Sequence, residues 1–320
     1  MTDPTPIGID IGSDSFDAAY LRLNGKWKQS QFSNHPDGFA ALEAYIPEQA
    51  WVIMEASGPY FLPLATWLQE RSIPVSVVNP LQLRRFAQMK LLRAKTDPVD
   101  ARMAAVYGDE QRPELWKAPS KISLRMRQIL SRLQLLHKQK TAQINQAKSF
   151  EATGVSDPAV ADQQQTMLQM FTRQIEKLNE ELQRLAKQAY DDLHERLATI
   201  KGIGPKAAAV LIVLTDGFHR FPTPEGLASY IGLTSHPWSS GKSVQGRGKI
   251  SKIGADVARS VLYMCAQSAR KSNNACYALN KRLEEKGKPN KVILIAIAHK
   301  LVRQAWAIGT KGGIYNPNYA

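Results

Sequence analysis

Three meandering strand-like runs, then helix, strand, helix, strand, helix, predict a ribonuclease-H-like α/β domain with a mixed sheet over residues 1–115. Two long stretches with apolar residues at alternating threes and fours predict an antiparallel coiled-coil helical hairpin over 116–195. A Gly-Ile-Gly connection between helical segments then predicts a mainly α domain over 196–320 with a helix-hairpin-helix motif. At 320 residues the chain is long enough for separate cores.

The first strand is expected at residues 7–12, an apolar run interrupted by Asp10. Runs at Phe16–Leu23 and Lys26–Phe32 follow, and Asn24-Gly25 between them is a strong hairpin signal. A short helix over Pro36–Tyr45 leads to a fourth strand, Trp51–Glu55, which ends in a carboxylate before Ser57-Gly58-Pro59. A helix over Phe61–Glu70 and a fifth strand, Pro74–Val78, come next, and Asn79-Pro80 opens another helix.

Lys95-Thr96-Asp97-Pro98-Val99-Asp100-Ala101-Arg102 places two carboxylates three residues apart at a helix start. Residues at i and i+3 share one helix face, so Asp97 and Asp100 can hold a divalent cation together. They also fit a helix start, with Asp97 as N-cap, Pro98 at N1 and Asp100 as the capping-box acid. Asp10 amid Ile7, Ile9 and Ile11 is costly to bury without a partner. A turn-holding role explains Asp10 singly, and a loop anchor explains Glu55. Four acids placed around one such fold point instead to hard oxygen ligation of Mg²⁺ or Mn²⁺. Beside them, Arg84, Arg85, Lys90, Arg93 and Lys95 form either a solvated face or a set of phosphate contacts.

From Pro119 to Phe150 one long helix is expected, with a seam of Ile122, Met126, Ile129, Leu133 and Leu136. Arg125, Arg132, Lys138 and four further cations lie in Lys121–Lys148 with no acid among them, which suits a phosphate track. A loop around Gly154–Gln165 turns the chain. The second arm has a seam of Phe171, Ile175, Leu178, Leu182, Leu185 and Ala189 and an outer face of mixed charge. Arms of about thirty residues are roughly 45 Å long.

Gly202 and Gly204, flanked by Lys201 and Lys206, let backbone N–H groups approach a phosphate, although an ordinary glycine-rich connection has the same composition. An irregular basic segment at 230–254 includes Ser239, Ser240, Lys242, Ser243 and Arg247. Helices are expected across Ala255–Arg270, Asn274–Lys286 and Lys291–Ile308.

The net charge of +14 points to a polyanionic partner, nucleic acid before membrane. No apolar run of eighteen residues predicts a membrane span, and no basic stretch followed by an apolar core predicts secretion. Cys265 and Cys276 lack a CxxC spacing and read as buried thiols of a reducing compartment. A cytoplasmic, nucleoid-associated protein is the expectation.

Several of these segments carry a resemblance. Gly8-Ile9-Asp10, Met54-Glu55-Ala56-Ser57-Gly58-Pro59-Tyr60, Asn79-Pro80 and the Lys95–Arg102 segment resemble the N-terminal domain of the insertion-sequence one-ten family of bacterial and archaeal recombinases. These are relatives of the Piv DNA invertase with a RuvC-like Asp-Glu-Asp-Asp domain. The resemblance implies that Asp10, Glu55, Asp97 and Asp100 bind catalytic Mg²⁺. Gly232-Leu233-Thr234 followed by Ser240-Gly241-Lys242-Ser243-Val244-Gln245-Gly246 is similar to the family's transposase domain, whose nucleophilic serine precedes the first glycine. That position is Ser240, with Ser239 directly before it as the neighbouring alternative. The family further implies strand cleavage through a phosphoserine link, donor and target DNA, and a guide RNA. It also implies a homo-oligomer, a dimer assembling to a tetramer with composite active sites.

Three other readings compete. A metal-dependent junction nuclease needs the four acids and not Ser240. An actin-like sugar kinase needs a second glycine-rich phosphate loop, which the sequence lacks. A non-catalytic nucleic-acid scaffold needs none of these residues to react.

Overall fold

The computed structural model describes residues 3–90, 97–240, 244–250 and 254–317; residues 97–98, 235–240 and 244–249 are described by their backbone elements. The contacts divide the chain into two compact units, 1–119 and 120–320. The expected 195/196 boundary falls inside the second unit.

In the first unit, β1 (Thr5–Ile11), β2 (Ser15–Leu21), β3 (Trp27–Ser33), β4 (Ala50–Glu55) and β5 (Val75–Val78) form a sheet in the order β3-β2-β1-β4-β5. The first three are antiparallel; β4 and β5 run parallel to β1, so the sheet is mixed as expected. The hairpin turn is longer than Asn24-Gly25 alone suggests. Leu21 pairs with Trp27, and Arg22 N–H reaches Lys26 O at 3.0 Å. Leu23 therefore belongs to the loop, and Gly25 at φ 75° takes its left-handed position.

Side-chain alternation gives the sheet two working faces. Ile7, Ile9, Ile11, Phe16, Val52 and Met54 pack with Phe39 and Leu42 of α1 (Pro36–Tyr45) and Leu64 and Leu68 of α2 (Phe61–Glu70). Trp51, Ile53 and Val78 pack on the other side with Leu83 and Phe86 of α3 (Pro80–Met89) and Met103 and Tyr107 of α4 (Asp97–Gln111). Asn79 caps α3 by accepting from Leu81 N–H at 2.9 Å, with Pro80 at its first position.

The second unit holds one continuous apolar core, from Met126 to Ile308. Its elements are α5 (Lys121–Glu151), α6 (Pro158–Ala198), α7 (Pro205–Thr215), α8 (Pro224–Ile231), β6 (Ser235–Ser240), β7 (Val244–Ile250), α9 (Asp256–Ser272), α10 (Asn274–Glu285) and α11 (Asn290–Lys311). α5 and α6 pair antiparallel, since Arg125 meets Glu181 at 3.3 Å and Lys140 meets Thr172 at 2.7 Å.

Several expectations need correction. On α5 the buried seam is Met126, Leu130, Leu133 and Leu136; Ile122 and Ile129 flank it, half-buried. On α6, Ala186 is buried and Ala189 exposed. Just beyond, Tyr190 leaves the helical region (φ −144°, ψ 45°), a kink within α6, and burial resumes at Leu193 and Leu197. The loop expected to reach Gln165 ends at Asp157, whose carboxylate caps α6 by accepting from Ala159 and Val160 N–H. Asp157-Pro158 is thus a helix start and not a turn. The irregular segment at 230–254 contains the two-stranded antiparallel sheet β6–β7. Its register shifts between His236 and Trp238, where Pro237 lacks a ladder donor.

Finally, α11 is long and apolar enough by length and composition to cross a membrane, contrary to expectation. Ile293, Leu294, Ile297, Leu301, Val302 and Ile308 are nonetheless buried in the unit's core, which accounts for its apolarity.

Candidate active site

Alternation on β1 sends Ile7, Ile9 and Ile11 toward α1 and α2, leaving Gly8 and Asp10 on the face that α4 covers. On β4 the same rule puts Ile53 and Glu55 on the α4 face. The register pairs Ile9 with Met54, so Asp10 and Glu55 stand side by side at the carboxyl ends of adjacent parallel strands, about 5 Å apart along the backbone.

A backbone contact sets the position of α4. Gly8 has no side chain, and a Cβ there would overlap the Ala101 carbonyl oxygen and the Ala105 nitrogen. Further along, Gly108 lies against Ile53 and Pro6. The helix therefore runs antiparallel to β1, with its first turn, Asp97–Asp100, over the strand end that carries Asp10. Its amino-terminal dipole favours negative charge there. Arg102, one turn further on, donates to Gln29 Oε1 of β3. Among the described residues, no group of three or more His, Cys, Asp or Glu already forms a compact metal cluster.

The register adds a further acid that the sequence does not single out. Asp17 is the cross-strand partner of Asp10, which puts it on the same sheet face, and Gln31 Nε2 donates to its Oδ2 at 3.2 Å. The local signal is the polar–apolar–polar order of Ser15, Phe16 and Asp17, which sets Asp17 on the face opposite Phe16. Asp17, Asp10 and Glu55 thus sit in a row on β2, β1 and β4, and like charges directly opposite destabilise a sheet. No lysine or arginine is ion-paired with Asp17 or Glu55 among the described residues. A row of hard oxygen donors of this kind fits a divalent cation.

Two local devices hold the loops around the row. Ser57 Oγ donates to Glu55 Oε1 at 2.5 Å, orienting the carboxylate. Asn34 Nδ2 donates to Gly12 O at 2.9 Å and Tyr60 O at 3.2 Å, tying the loop after β1 to the one after β4. Asn34 is buried and its Oδ1 has no partner.

The expected nucleic-acid residues distribute as follows. Arg84 and Arg85 are exposed on α3, and Arg85 donates to Gln88. Arg93, Lys95 and Lys242 lie outside the described residues. Arg125 and Arg132 are exposed on α5, with Arg125 ion-paired to Glu181 at 3.3 Å. Lys138 of α5, Gly204 at the N-cap of α7 and Lys206 of α7 line one cavity of about 900 Å³. His137 lines it too, and burial, then the Lys140 and Lys206 cations, hold its pKa below the usual value.

The two glycines of the turn differ. Gly202 has φ 103°, and a Cβ there would lie 2.5 Å from the Ala269 Cβ, so folding itself demands glycine. Gly204 is exposed, has an ordinary backbone (φ −87°, ψ 172°), and has open space where a Cβ would point. Ser240 is the last residue of β6, paired with Val244, and Arg247 lies within β7. Ser240 belongs to the second unit and the four acids to the first.

Two family models match this chain. A DEDD transposase model covers residues 7–150, and a model described as the transposase IS116/IS110/IS902 family covers 194–281. A DEDD transposase domain implies dependence on a divalent metal. The pilin gene-inverting protein of Moraxella lacunata is 31% identical over 314 residues, 95% of either chain. The protein of the same description from Moraxella bovis matches equally. The transposase for insertion sequence element IS1328 of Yersinia enterocolitica is 24% identical over 348 aligned positions, spanning 99% of this chain and all of that protein.

Proposed function

This chain belongs to the IS110 family of transposases and is thereby an enzyme that cuts and rejoins DNA, and from that premise we propose that it is the RNA-guided recombinase of an insertion sequence, working through a phosphoserine intermediate. The observation that carries the metal-dependent part is the placement of Asp10 and Glu55 side by side under the first turn of α4.

Asp10, Glu55, Asp97 and Asp100 would hold the divalent metal, Mg²⁺ or Mn²⁺, which when bound neutralises charge on the scissile phosphate and orients its oxygens. Ser57 keeps the Glu55 carboxylate in one orientation. Ser240 Oγ attacks phosphorus, the bond from phosphorus to a deoxyribose oxygen breaks, and the hydroxyl proton ends on that oxygen. In rejoining, a deoxyribose hydroxyl of the new partner strand attacks the phosphoserine and returns the proton to Ser240. One phosphate ester replaces another, so no external energy source is required.

The paired α5 and α6 helices act as a coiled-coil arm for a dimer that assembles to a tetramer. The helix-hairpin-helix turn at Gly202–Gly204, with Lys138, Lys206 and Arg247, meets phosphate. Support for this comes from the open approach at Gly204 and the net charge of +14.

The test incubates the protein, with its co-purified nucleic acid, with Mg²⁺ and nicked flanking DNA. A covalent protein–DNA species is expected from the intact chain. Asp10→Asn removes both cleavage and the covalent species, and Ser240→Ala does the same. Cleavage by Ser240→Ala with release of free ends would favour a water-using junction nuclease instead. Ribonuclease treatment that leaves recombination intact would remove the guide RNA from the scheme.

A further inference from the structure

Ten of the cations fall between residues 270 and 311, against two acids, Glu284 and Glu285. Helical spacing gathers several of them. Arg282 of α10 and His299, Lys300 and Arg303 of α11 line a groove of about 590 Å³. Ala278 and Ala296 are among its floor residues, so the two backbones stay open to a close-lying ligand. Arg303 also pairs with exposed Glu225 at 2.9 Å, a surface pair of the kind worth little and readily exchanged for a phosphate. Burial, then Arg303, lowers the pKa of His299 against an opposing effect of Glu225. Its imidazole is thus a neutral donor or acceptor at pH 7, and Arg282, Lys300 and Arg303 carry the groove's positive charge.

The groove is tied to the Gly-Ile-Gly turn. Asn273 is fully buried between them. Its amide donates to Lys201 O at 3.2 Å, on the turn, and to Gln304 Oε1 at 3.0 Å, on the groove wall. Its own oxygen accepts from Cys276 N–H at 3.2 Å, capping α10. A strand bound at one place is therefore held in fixed register to the other.

We propose that the α10–α11 groove is a DNA-backbone site of the second unit, separate from the Gly-Ile-Gly turn, taking one strand of a duplex through Arg282, Lys300 and Arg303. The planar guanidinium forks match phosphate geometry. An alanine floor offers no aromatic pocket of the sort that anchors a protein partner. The family's substrate supplies the polyanion.

The test uses the full chain with Arg282→Gln, Lys300→Gln and Arg303→Gln combined, and a labelled mixed-sequence duplex titrated between about 50 and 200 mM salt. The slope of log affinity against log salt should become shallower by about 2 to 3, and affinity should fall about 5-fold per cation removed at physiological salt. The charge-keeping set Arg282→Lys, Lys300→Arg and Arg303→Lys should stay within about twofold of the parent. If the neutral set melts early, Arg282→Gln alone decides, with a slope change of about 1. An unchanged slope overturns the proposal. So does loss of affinity for single-stranded RNA, or for an acidic peptide, with duplex binding intact.

Discussion

Replacing Gly8 by alanine should both loosen the first unit and disable its chemistry. The added Cβ would lie 3.0 Å from the Ala101 carbonyl carbon, and closer still to that carbonyl's oxygen and to Ala105 N. All three are backbone atoms of α4, so no side chain can rotate away. Restoring ordinary contact requires the helix to back off by about 1 Å or more. Overpacking of this kind costs about 1–3 kcal/mol, and immovable neighbours put Gly8 at the upper end. With a urea dependence of about 1.5 kcal/mol per molar, the unfolding midpoint should drop by about 2 M. Tryptophan fluorescence is a suitable probe, because Trp27, Trp51, Trp67 and Trp116, four of the six tryptophans, lie in this unit. A helix displaced by 1 Å also carries Asp97 and Asp100 away from Asp10 and Glu55, so cleavage should fall by about 100-fold even in folded protein. A Gly8→Ala protein with the parent midpoint and parent cleavage rate would show that α4 is not held where its first turn meets the strand ends.

Three further outcomes follow from the same geometry. Ser57→Ala should weaken divalent-metal affinity by about 10- to 100-fold with little change in folding, measured by metal titration of cleavage; unchanged affinity would deny Ser57 an orienting role. Gly204→Ala should cost about 1 kcal/mol or less, as an N-cap change into open space, while lowering DNA affinity; Gly202→Ala should instead unfold the second unit at lower temperature, and a reversal of this pattern in parallel melts and binding curves would refute the division. Burial pushes the Cys265 and Cys276 thiols up to about 11. The folded chain thus keeps those protons longer than the unfolded one, so their stabilising contribution is full below pH 9 and is lost as pH rises toward 11. Alkylation near pH 8 should be slow in native protein and fast in urea.

What the sequence disclosed depended on how local each signal was. Asp10 and Glu55 could be placed because alternation and a parallel crossover are short-range rules, and Asn79-Pro80 showed its cap directly. Asp17 stayed hidden because its partner, Asp10, is recognised only once the β1–β2 register is known. On α5 the buried residue is Leu130 and not Ile129, one residue on, and on α6 it is Ala186 and not Ala189, three residues back; the repeat alone reveals neither the face that packing selects nor the kink at Tyr190. Beside that kink Asp216 Oδ1 accepts from Tyr190 Oη at 3.2 Å and from Ser123 Oγ at 2.8 Å, contacts 26 and 93 residues distant in sequence. Pro237 and three glycines hide the strands around Ser240, which the pairing of β6 with β7 reveals.

That single carboxylate oxygen has a mechanical consequence. The portion of α6 before Tyr190 is about 48 Å long at 1.5 Å per residue. It is a lever whose fulcrum is fastened by Ser123, Tyr190 and Asp216. A change of about 10° at the fulcrum sweeps the far end through roughly 8 Å. Asp216→Ala would free both hydroxyls at once and remove this fastening, leaving the seam of α5 against α6 to hold the strut.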